Sequence, residues 1–407
     1  MKKSKILSLL GVLAIIASLL PVTTNHAQAA ELLNPGFETQ GATSKEAYGW
    51  QSYQGGYQRN GIEYTGNYSI RLRNSGTSEF SGAYQRIDLN QTEIKPVVIE
   101  GYVRGSRITA APGSHFGASI YTEIHLQDGT VAYWNSLPNF GTFNWRWVGF
   151  NTGTLPHINQ PISHIFVVPI LGNASGTAFF DDIKVTEMTP HQSAVTIMFD
   201  DGYDDLYTEA KPVMDSYGYV GTVAVPTAEI GDEGQMTADQ LKALYATGWE
   251  IASHTQNHVD LTTLSISNAR RELSRSYNDL KMLGFNVKNF AFPYGTYNAK
   301  LLAEGSRYYR SMRPFELGDN PQGAMPFEVK VKKVINSTTP AEVVSWIEQA
   351  KTTGRWIVLS LHNIAAIGDD EYHTDPGVFA DIIAAVNATG MPVVTYDRGL
   401  DLFAAPQ

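Results

Sequence analysis

The pattern of apolar and polar positions divides the chain into two regions. From residue 30 to residue 188, short runs that alternate apolar and polar residues are separated by Gly, Asn, Ser and Thr, as in 97–103 (VVIEGYV) and 164–170 (HIFVVPI). Such alternation is typical of strands with one buried face, and closely spaced turns favour antiparallel pairing. We therefore predict an all-β sandwich over residues 30–188.

The pattern changes at residue 189, where strand-like runs begin to alternate with helical segments. Residues 267–283 repeat apolar positions at three- and four-residue steps and are followed by Gly284, as in a capped helix. Alternating strands and helices over 189–407 indicate an α/β domain, and we predict a distorted (β/α) barrel of seven or eight strands. The predicted strands are 195–199, 221–225, 249–252, 289–292, 308–312, 329–334, 356–361 and 392–396, and further predicted helices are 341–350 and 376–388.

The first 29 residues have the character of a secretory signal peptide. Lys2, Lys3 and Lys5 precede an apolar stretch over 6–20, and 27–29 (AQA) offers small residues for cleavage. The apolar stretch is shorter than the roughly 20 residues that a membrane span needs, although a membrane anchor is the competing interpretation. We expect a secreted protein, extracellular or associated with the cell wall, with no membrane span after signal removal.

Composition and charge exclude several classes of protein. With 43% hydrophobic and 17% charged residues, the chain has the balance of a globular protein with a full core. The net charge of -10, without a basic run after the N-terminus, argues against a nucleic-acid partner, because phosphate binding needs a basic surface. There is no cysteine, so any protein-bound metal must be held by His, Asp or Glu.

Two adjacent carboxylates, Asp200 and Asp201, directly follow the predicted strand 195–199. Buried charges are costly without partners, but the carboxyl ends of barrel strands are where catalytic groups lie. Because adjacent residues at a strand end point in different directions, one carboxylate can bind a metal while the other stays free as a base. A helix N-cap is the competing interpretation, since Asp is common there.

Two histidines, His254 and His258, follow the predicted strand 249–252. A spacing of four places both imidazoles on one side of a helical turn or tight loop, which is a usual metal-binding pair. His362 ends another predicted strand, and 292–295 (FPYG) follows a fourth. Alone, His362 fits a core histidine and FPYG fits a turn. Because all four groups lie at strand C-termini, we favour one joint site.

In this order, the segments resemble the motifs of the polysaccharide deacetylase family, the NodB-homology domains of carbohydrate esterase family 4. The family's T-F-D-D-G, H-S/T-x-x-H and Leu-x-Leu-His motifs correspond to 198–202 (MFDDG), 254–258 (HTQNH) and 359–362 (LSLH). The resemblance covers about residues 190–407. It implies a hydrolase that removes N-acetyl groups from an extracellular GlcNAc-containing polysaccharide, such as chitin, poly-β-1,6-GlcNAc or peptidoglycan.

The resemblance assigns a role to each motif residue, and the partner that it implies is an acetylated polysaccharide. It implies one divalent metal, with zinc as the first choice and cobalt or another divalent ion as alternatives. A metal lowers the pKa of water, and an amine leaves poorly unless it is protonated. The implied roles are metal ligand for Asp201, His254 and His258; general base for Asp200; oxyanion-stabilising backbone N–H for Tyr294; proton donor for His362; and substrate binding for Pro293 and Leu361.

The sequence departs from the family pattern in two places. The family carries an arginine shortly before Pro-Tyr, where it pairs with the base, but 289–295 (NFAFPYG) has none. Relatives that act on β-1,6-linked glucosamine polymers share this form. Arg310 or Arg313 is a candidate to supply the charge from the next strand, although both can equally be solvated. The carboxylate that the family places behind the catalytic histidine has no match before Trp356, so the partner of His362 is unassigned.

The first region resembles the jelly-roll carbohydrate-binding modules attached to many secreted glycan enzymes. The resemblance rests on 33–38 (LNPGFE) and 178–185 (AFFDDIKV) and covers about residues 31–187. It implies a structural Ca²⁺ with Glu38 and Asp182 as candidate ligands, and the alternative is two surface carboxylates. Aromatic side chains can stack on sugar rings or fill a sandwich core, and the domain can equally be a spacer. These aromatic residues are Trp50, Tyr53, Tyr57, Tyr133, Trp134, Trp145 and Trp147.

Two other functions stay open. The same metal chemistry would serve an O-acetyl esterase that acts on xylan. A non-catalytic glycan-binding protein with a decayed barrel is the alternative from another class, against which the intact Asp-Asp and His-x-x-x-His set argues.

Overall fold

The computed structural model describes residues 32–110, 113–189, 193–366 and 370–404. The predicted signal peptide, residues 1–29, lies outside this part of the chain. Within the described ranges, no helix combines the length and the apolar character needed to cross a bilayer.

Ten strands between residues 51 and 187 pair into two antiparallel sheets of five strands each. They are β1 (Gln51–Gln54), β2 (Gln58–Asn60), β3 (Ser69–Asn74), β4 (Phe80–Asp88), β5 (Val97–Ala110), β6 (Gly117–Leu126), β7 (Val131–Asn135), β8 (Gly141–Asn151), β9 (Ile162–Gly172) and β10 (Ala174–Glu187). The strand orders are β1-β4-β9-β6-β7 and β2-β3-β10-β5-β8.

The two antiparallel sheets share one hydrophobic core. Along β6, buried residues alternate with less buried ones, as expected for a strand with one face on a core. Side chains from both sheets, including Ile70, Val103, Ile120 and Ile165, form a single cluster. This is the arrangement expected of a sandwich. The jelly-roll assignment and the domain limits at 30–188 and 189–407 stay predictions.

The chain from residue 194 onward alternates strands and helices. The strands are β11 (Ala194–Phe199), β12 (Thr222–Val225), β13 (Glu250–Ser253), β14 (Asn289–Ala291), β15 (Ser311–Arg313), β16 (Lys332–Lys333) and β17 (Trp356–Leu361). The helices are α1 (Lys211–Ser216), α2 (Ala238–Ala246), α3 (Ile266–Met282), α4 (Ala299–Gly305), α5 (Pro340–Thr353), α6 (Pro376–Ala388) and α7 (Tyr396–Phe403).

These seven strands form one parallel sheet in the order β15-β14-β13-β12-β11-β17-β16. The predicted α/β class is confirmed, and in the described chain the sheet is a half-barrel whose two edges are β15 and β16. The predicted eighth strand, 392–396, is present only as a single parallel bridge of Val393 to Val195, with hydrogen bonds from Val195 to Pro392 and from Val394 to Val195. It extends no further, because the Thr395 side chain caps the first turn of α7, which begins at Tyr396.

The central strands β11 and β17 are buried along their whole length. Ile197 faces the larger hydrophobic cluster on one side of the sheet, and Met198 faces the smaller cluster that contains Trp356 on the other. A strand covered on both faces reads as a continuous apolar run, which is why the sequence located both strands closely. This packing fixes the carboxyl ends of β11 and β17.

The two-sheet unit packs against the loop between β15 and β16. Asn151 at the end of β8 donates from Nδ2 to the carbonyl oxygens of Gly323, at 2.7 Å, and Gln322, at 3.2 Å. A small apolar cluster lies beside these bonds and joins the two parts of the chain. Its members are Val98, Met188 and Met325, with Trp147 packed against them.

Candidate active site

The predicted functional residues meet at one rim of the parallel sheet, where β11, β13, β14 and β17 end. They line a cavity of about 220 Å³. The joint site inferred from the sequence is therefore assembled by the fold, because parallel strands place their carboxyl ends at the same edge. The predicted residues in this lining are Asp200, Asp201, His254, His258, Tyr294 and His362.

Asp201, His254 and His258 bring three atoms that could bind a metal close together. Asp201 Oδ1 lies 3.2 Å from His254 Nε2 and 3.1 Å from His258 Nε2. His254 Nδ1 lies 2.9 Å from the carbonyl oxygen of Ala291, and a backbone acceptor of this kind leaves Nε2 free to bind a metal. Among the described residues, this is the one group of three or more His, Asp or Glu whose ligand atoms all lie within 4.8 Å of one another.

The charges at this triad suit a cation. Burial opposes ionisation of Asp201, but hydrogen bonds from His254 and His258 outweigh it and hold the pKa of the carboxyl well below its usual range. Burial lowers the pKa of His258, while the Asp201 hydrogen bond and charge raise it, and the net shift is upward. One carboxylate and two imidazoles are a donor set that fits zinc and other divalent ions.

Asp200 is held by a buried ion pair. Arg313, the last residue of β15, has Nη2 at 2.5 Å from both carboxylate oxygens, and the exposed fractions are 3% for Asp200 and 0% for Arg313. The Ser360 hydroxyl donates to Asp200 Oδ2 at 3.3 Å. Burial alone would raise the pKa of Asp200, but the Arg313 guanidinium and the nearby histidines bring it below its usual value. Asp200 is therefore ionised at neutral pH.

Of the two arginines considered from the sequence, Arg313 supplies the charge beside Asp200. Arg310 precedes β15 and pairs instead with Asp397, at 3.0 Å, and Asp401, at 2.9 Å. Those partners belong to α7, at the opposite end of the strand from the cavity.

His362 lies on the other side of Asp200. Its Nε2 is 3.9 Å from Asp200 Oδ2. Its Nδ1 is buried and has no hydrogen-bond partner among the described residues, so the carboxylate missing from the sequence has no counterpart there. Burial lowers the pKa of the imidazole, although Asp200 opposes this shift. A protonated His362 is consequently a stronger acid than an exposed histidine.

Several site residues have a left-handed backbone. The φ angles are 70° at Asp201, 68° at Thr255, 48° at His258 and 59° at Tyr294. This region is uncommon for residues other than glycine, and such strain concentrates at functional sites. The surrounding fold therefore holds the loops that carry the metal-ligand set in conformations that they would not adopt alone.

Three further predicted residues lie around the turn after β14 and at the end of β17. Tyr294 is 67% exposed, and its hydroxyl lies 3.4 Å from the carbonyl oxygen of His258. Pro293 is buried in the same turn, and Leu361 is 1% exposed within the hydrophobic core. The cavity lining contains neither Pro293 nor Leu361. Their substrate-binding role stays a prediction.

The candidate calcium ligands Glu38 and Asp182 hold one loop of the two-sheet unit. Glu38 Oε1 accepts from the backbone N–H groups of Asn67 and Tyr68, both at 2.9 Å. Asp182 Oδ2 accepts from the Thr65 hydroxyl at 2.8 Å. Both carboxylates thus have protein partners, and calcium binding here stays a prediction.

The sequence did not point to the remaining walls of the cavity. These residues lie in loops beyond the strand ends, where no periodicity or spacing marks them. The neighbouring Tyr372 and His373 were the one available signal, since aromatic and imidazole groups together are frequent in sites. Phe292 and Gly295 also line the cavity and belong to the predicted segment 292–295. The lining residues that the sequence did not indicate are Tyr203, Phe315, Asn363, Asp370, Tyr372 and His373.

Part of the chain is similar to known proteins. Residues 187–309 match the family model described as polysaccharide deacetylase. The chain is 33% identical over 118 residues to the Bacillus subtilis protein named "Putative polysaccharide deacetylase YxkH", covering 28% of this chain and 41% of that protein. It is 32% identical over 123 residues to a poly-β-1,6-N-acetyl-D-glucosamine N-deacetylase of Staphylococcus aureus, covering 26% and 41%. The chain thus spans less than half the length of these relatives.

Solved structures of low overall similarity also match. The Xyl-CE4 domain of a multidomain xylanase from the hindgut metagenome of Trinervitermes trinervoides has a TM-score of 0.39 and 20% identity, and the match covers 52% of this chain and 91% of that domain. The Streptococcus pyogenes deacetylase PplD, in complex with acetate, has a TM-score of 0.37 and 25% identity, covering 39% and 72%.

Proposed function

We propose, from the match of residues 187–309 to the polysaccharide deacetylase family model, that the protein is a metal-dependent hydrolase that removes N-acetyl groups from a GlcNAc-containing polysaccharide. The observation that carries the proposal is the convergence of a two-histidine, one-carboxylate triad and an arginine-paired aspartate in one cavity. Chitin, poly-β-1,6-GlcNAc and peptidoglycan are the proposed substrate classes. The named activity of the Staphylococcus aureus relative supports N-deacetylation.

Asp201, His254 and His258 would hold one divalent cation, with zinc as the first choice. When bound, such an ion supplies Lewis acidity toward a carbonyl oxygen and lowers the pKa of water. The close packing of their three ligand atoms and the absence of cysteine from the chain support an oxygen and nitrogen site.

Asp200 would act as the general base. Its carboxylate is kept ionised by Arg313, so it can take a proton from the water that attacks the acetyl carbonyl carbon. The backbone N–H of Tyr294 would donate to the oxygen that becomes negative during attack. Breaking the C–N bond then releases acetate. The nitrogen leaves as an amine only when it is protonated, and His362, 3.9 Å from Asp200, would supply that proton.

Three further proposals concern residues 1–188. We propose that the protein is secreted, on the basis of the N-terminal sequence, and that it acts on polysaccharide outside the cell. The exposed aromatics Tyr133 and Trp134, at 61% and 42%, support a glycan-binding role for the two-sheet unit. Glu38 and Asp182 remain the proposed ligands of a structural calcium ion.

The test is acetate release by the purified full-length mature protein supplied with zinc or cobalt. Substrates are GlcNAc oligomers of β-1,4 and β-1,6 linkage, peptidoglycan and acetylxylan. We expect release from at least one GlcNAc polymer and its loss in Asp200→Asn and His254→Ala. Asp239→Asn is the matched control, because that carboxylate is 97% exposed on α2. Release that survives in both site variants would refute the assignment.

Two other outcomes of the same assay would replace the proposal. Release from acetylxylan alone would make the protein an O-acetyl esterase. Binding to glycan without release from any substrate would make it a non-catalytic binding protein.

A further inference from the structure

The imidazole of His362 is held by aromatic rings. The Tyr372 ring lies 4.6 Å from it between centroids, at an interplanar angle of 59°, and the Phe315 ring lies at 6.1 Å. All three residues line the cavity. Nδ1 has no hydrogen-bond partner among the described residues. In this part of the chain, the side of the imidazole away from Asp200 is therefore restrained by ring packing.

Tyr372 is itself fixed from behind. Lys333 of β16 places Nζ 4.4 Å above the Tyr372 ring centroid, a cation–π geometry. The same Nζ lies 2.7 Å from Glu371 Oε1, and the carbonyl oxygen of Glu371 accepts from the backbone N–H of Asn336 at 2.9 Å. The ring is therefore clamped between His362 and a lysine that is anchored to the neighbouring residue.

This inference rests on the proposed function. We propose that Tyr372 is a positioning residue for the proton donor: its ring packs against the His362 imidazole and fixes its orientation. With Tyr372 against one side, Nε2 is kept toward Asp200 and the cavity. Lys333 acts one step further out, by bracing Tyr372.

The chemistry explains why this orientation matters. The torsion that turns an imidazole ring is soft, so an unrestrained ring samples a broad range of angles. Proton transfer to a leaving nitrogen needs the donor within hydrogen-bond reach, and a displacement of about 1 Å can cost about 100-fold in rate. Substrate binding does not need the same restraint, so the loss falls on kcat and leaves KM nearly unchanged.

Because the Tyr372 ring makes the contact with His362, two substitutions at Tyr372 should have different effects. Tyr372→Leu removes the aromatic face, whereas Tyr372→Phe keeps it and removes only the hydroxyl. We expect kcat for acetate release to fall about 10-fold in Tyr372→Leu, with KM within about twofold of wild type. Tyr372→Phe should stay within about twofold for both, and Lys333→Met should fall between the two. Tyr48→Leu is the control, because it removes a tyrosine that is 55% exposed and lies outside the proposed site and the proposed glycan-binding aromatics.

A second readout does not depend on activity. In protein labelled with ¹³C at histidine Cε1, the relaxation order parameter of the His362 Cε1–H bond reports how freely the ring reorients. The signal is assigned by its loss in His362→Gln. We expect a lower order parameter in Tyr372→Leu, a smaller decrease in Lys333→Met, and no change in Tyr372→Phe or at His254.

The outcomes separate this inference from the proposed function. If the wild-type protein releases no acetate from any glycan, the proposed function fails, while the order parameter still shows whether Tyr372 fixes the ring. An unchanged His362 order parameter in a folded Tyr372→Leu protein would overturn the inference. So would a kcat loss in Tyr372→Phe equal to that in Tyr372→Leu. If Tyr372→Leu does not fold, Lys333→Met decides by the same measurement.

Discussion

Arg313 and Asp200 are 113 positions apart in the sequence, yet Arg313 Nη2 lies 2.5 Å from both oxygens of the Asp200 carboxylate. Both side chains are buried. Removing one partner of such a pair leaves the other charge without compensation, which costs more than the pair contributes net. The pair therefore links the stability of the rim to the ionisation of the proposed base.

Replacing Arg313 tests this link. In Arg313→Met, the pKa of Asp200 should rise, because the guanidinium that opposes the burial effect is gone. The acid limb of the pH profile of kcat/KM should then move to higher pH, and the free energy of unfolding should fall by about 3–5 kcal/mol. The measurements are acetate release against pH and urea unfolding. Arg310→Met is the matched control, since Arg310 pairs with α7, and an acid limb that moves equally in both variants would contradict the prediction.

Zinc binding at the proposed site should depend on each of the three side chains Asp201, His254 and His258. Asp201→Asn and His258→Ala should weaken zinc binding by at least about 100-fold. Losing a residue that only hydrogen-bonds to a metal ligand already costs up to about 100-fold, and losing a ligand itself should cost no less. His373→Ala, which changes the cavity wall outside the triad, should bind zinc like the wild type. Isothermal titration calorimetry on apo protein measures this directly. Equal affinity in Asp201→Asn and wild type would remove Asp201 from the site.

Zinc should also stabilise the folded protein. At a free concentration 100 times the dissociation constant, ligand binding adds about 2.7 kcal/mol to the free energy of unfolding. Chelation with EDTA should reverse the gain in wild type and change nothing in Asp201→Asn. A melting temperature that changes with neither zinc nor EDTA would argue against a metal at this site.

Glu328 gives a pH prediction outside the active site. Burial, followed by the charge of Glu316, raises its pKa from 4.5 to about 7. The folded protein therefore holds a proton that the unfolded chain releases between these values, so the stability from this group is present below pH 4.5 and is lost as the pH rises to about 7.

Glu328→Gln should remove that loss. Its free energy of unfolding should exceed that of the wild type at pH 8, by at most about 3 kcal/mol, and match it near pH 4.5. Urea unfolding at the two pH values measures the difference. Glu348→Gln serves as control, because Glu348 is 52% exposed. A constant offset between Glu328→Gln and wild type at both pH values would show that Glu328 does not carry the effect.

The contact between the two-sheet unit and the α/β unit depends on Asn151. Asn151→Ala leaves the carbonyl oxygens of Gly323 and Gln322 without this donor, and we expect a loss of about 1–3 kcal/mol in the free energy of unfolding. Thermal and urea unfolding measure it, with Asn144→Ala as the exposed control on the same strand. No loss relative to Asn144→Ala would mean that the contact is energetically neutral.

The sequence predicted the central strands and one helix closely, because their causes are local. β17 and α6 have the predicted bounds of 356–361 and 376–388. β15 was predicted at 308–312 and lies at Ser311–Arg313. Tyr309 extends the apolar pattern of the predicted strand, but it lies before β15 as a core side chain. Its hydroxyl donates to Ser253 Oγ and to the carbonyl oxygen of Leu273.

That shift also decided which arginine reaches the site. Arg310 and Arg313 are three residues apart, and only the position of the strand end tells which one faces Asp200. Phe315 and Tyr372 do not follow from strand ends or spacing, because the path of a loop brings each of them to His362. The triad and the aspartate pair, by contrast, follow directly from strand ends and spacing.

The hydrogen bonds from Asn151 to the loop between β15 and β16 limit how the two-sheet unit can be exchanged for another domain. That loop begins just after Arg313 and includes Phe315, so the two-sheet unit supports a wall of the cavity through it. A chimaera that exchanged the two-sheet unit for a foreign one would expose Met325 and release the loop. A transplant of the α/β unit, residues 194–404, should therefore carry the β8 edge with it, although β8 lies outside the matched segment 187–309.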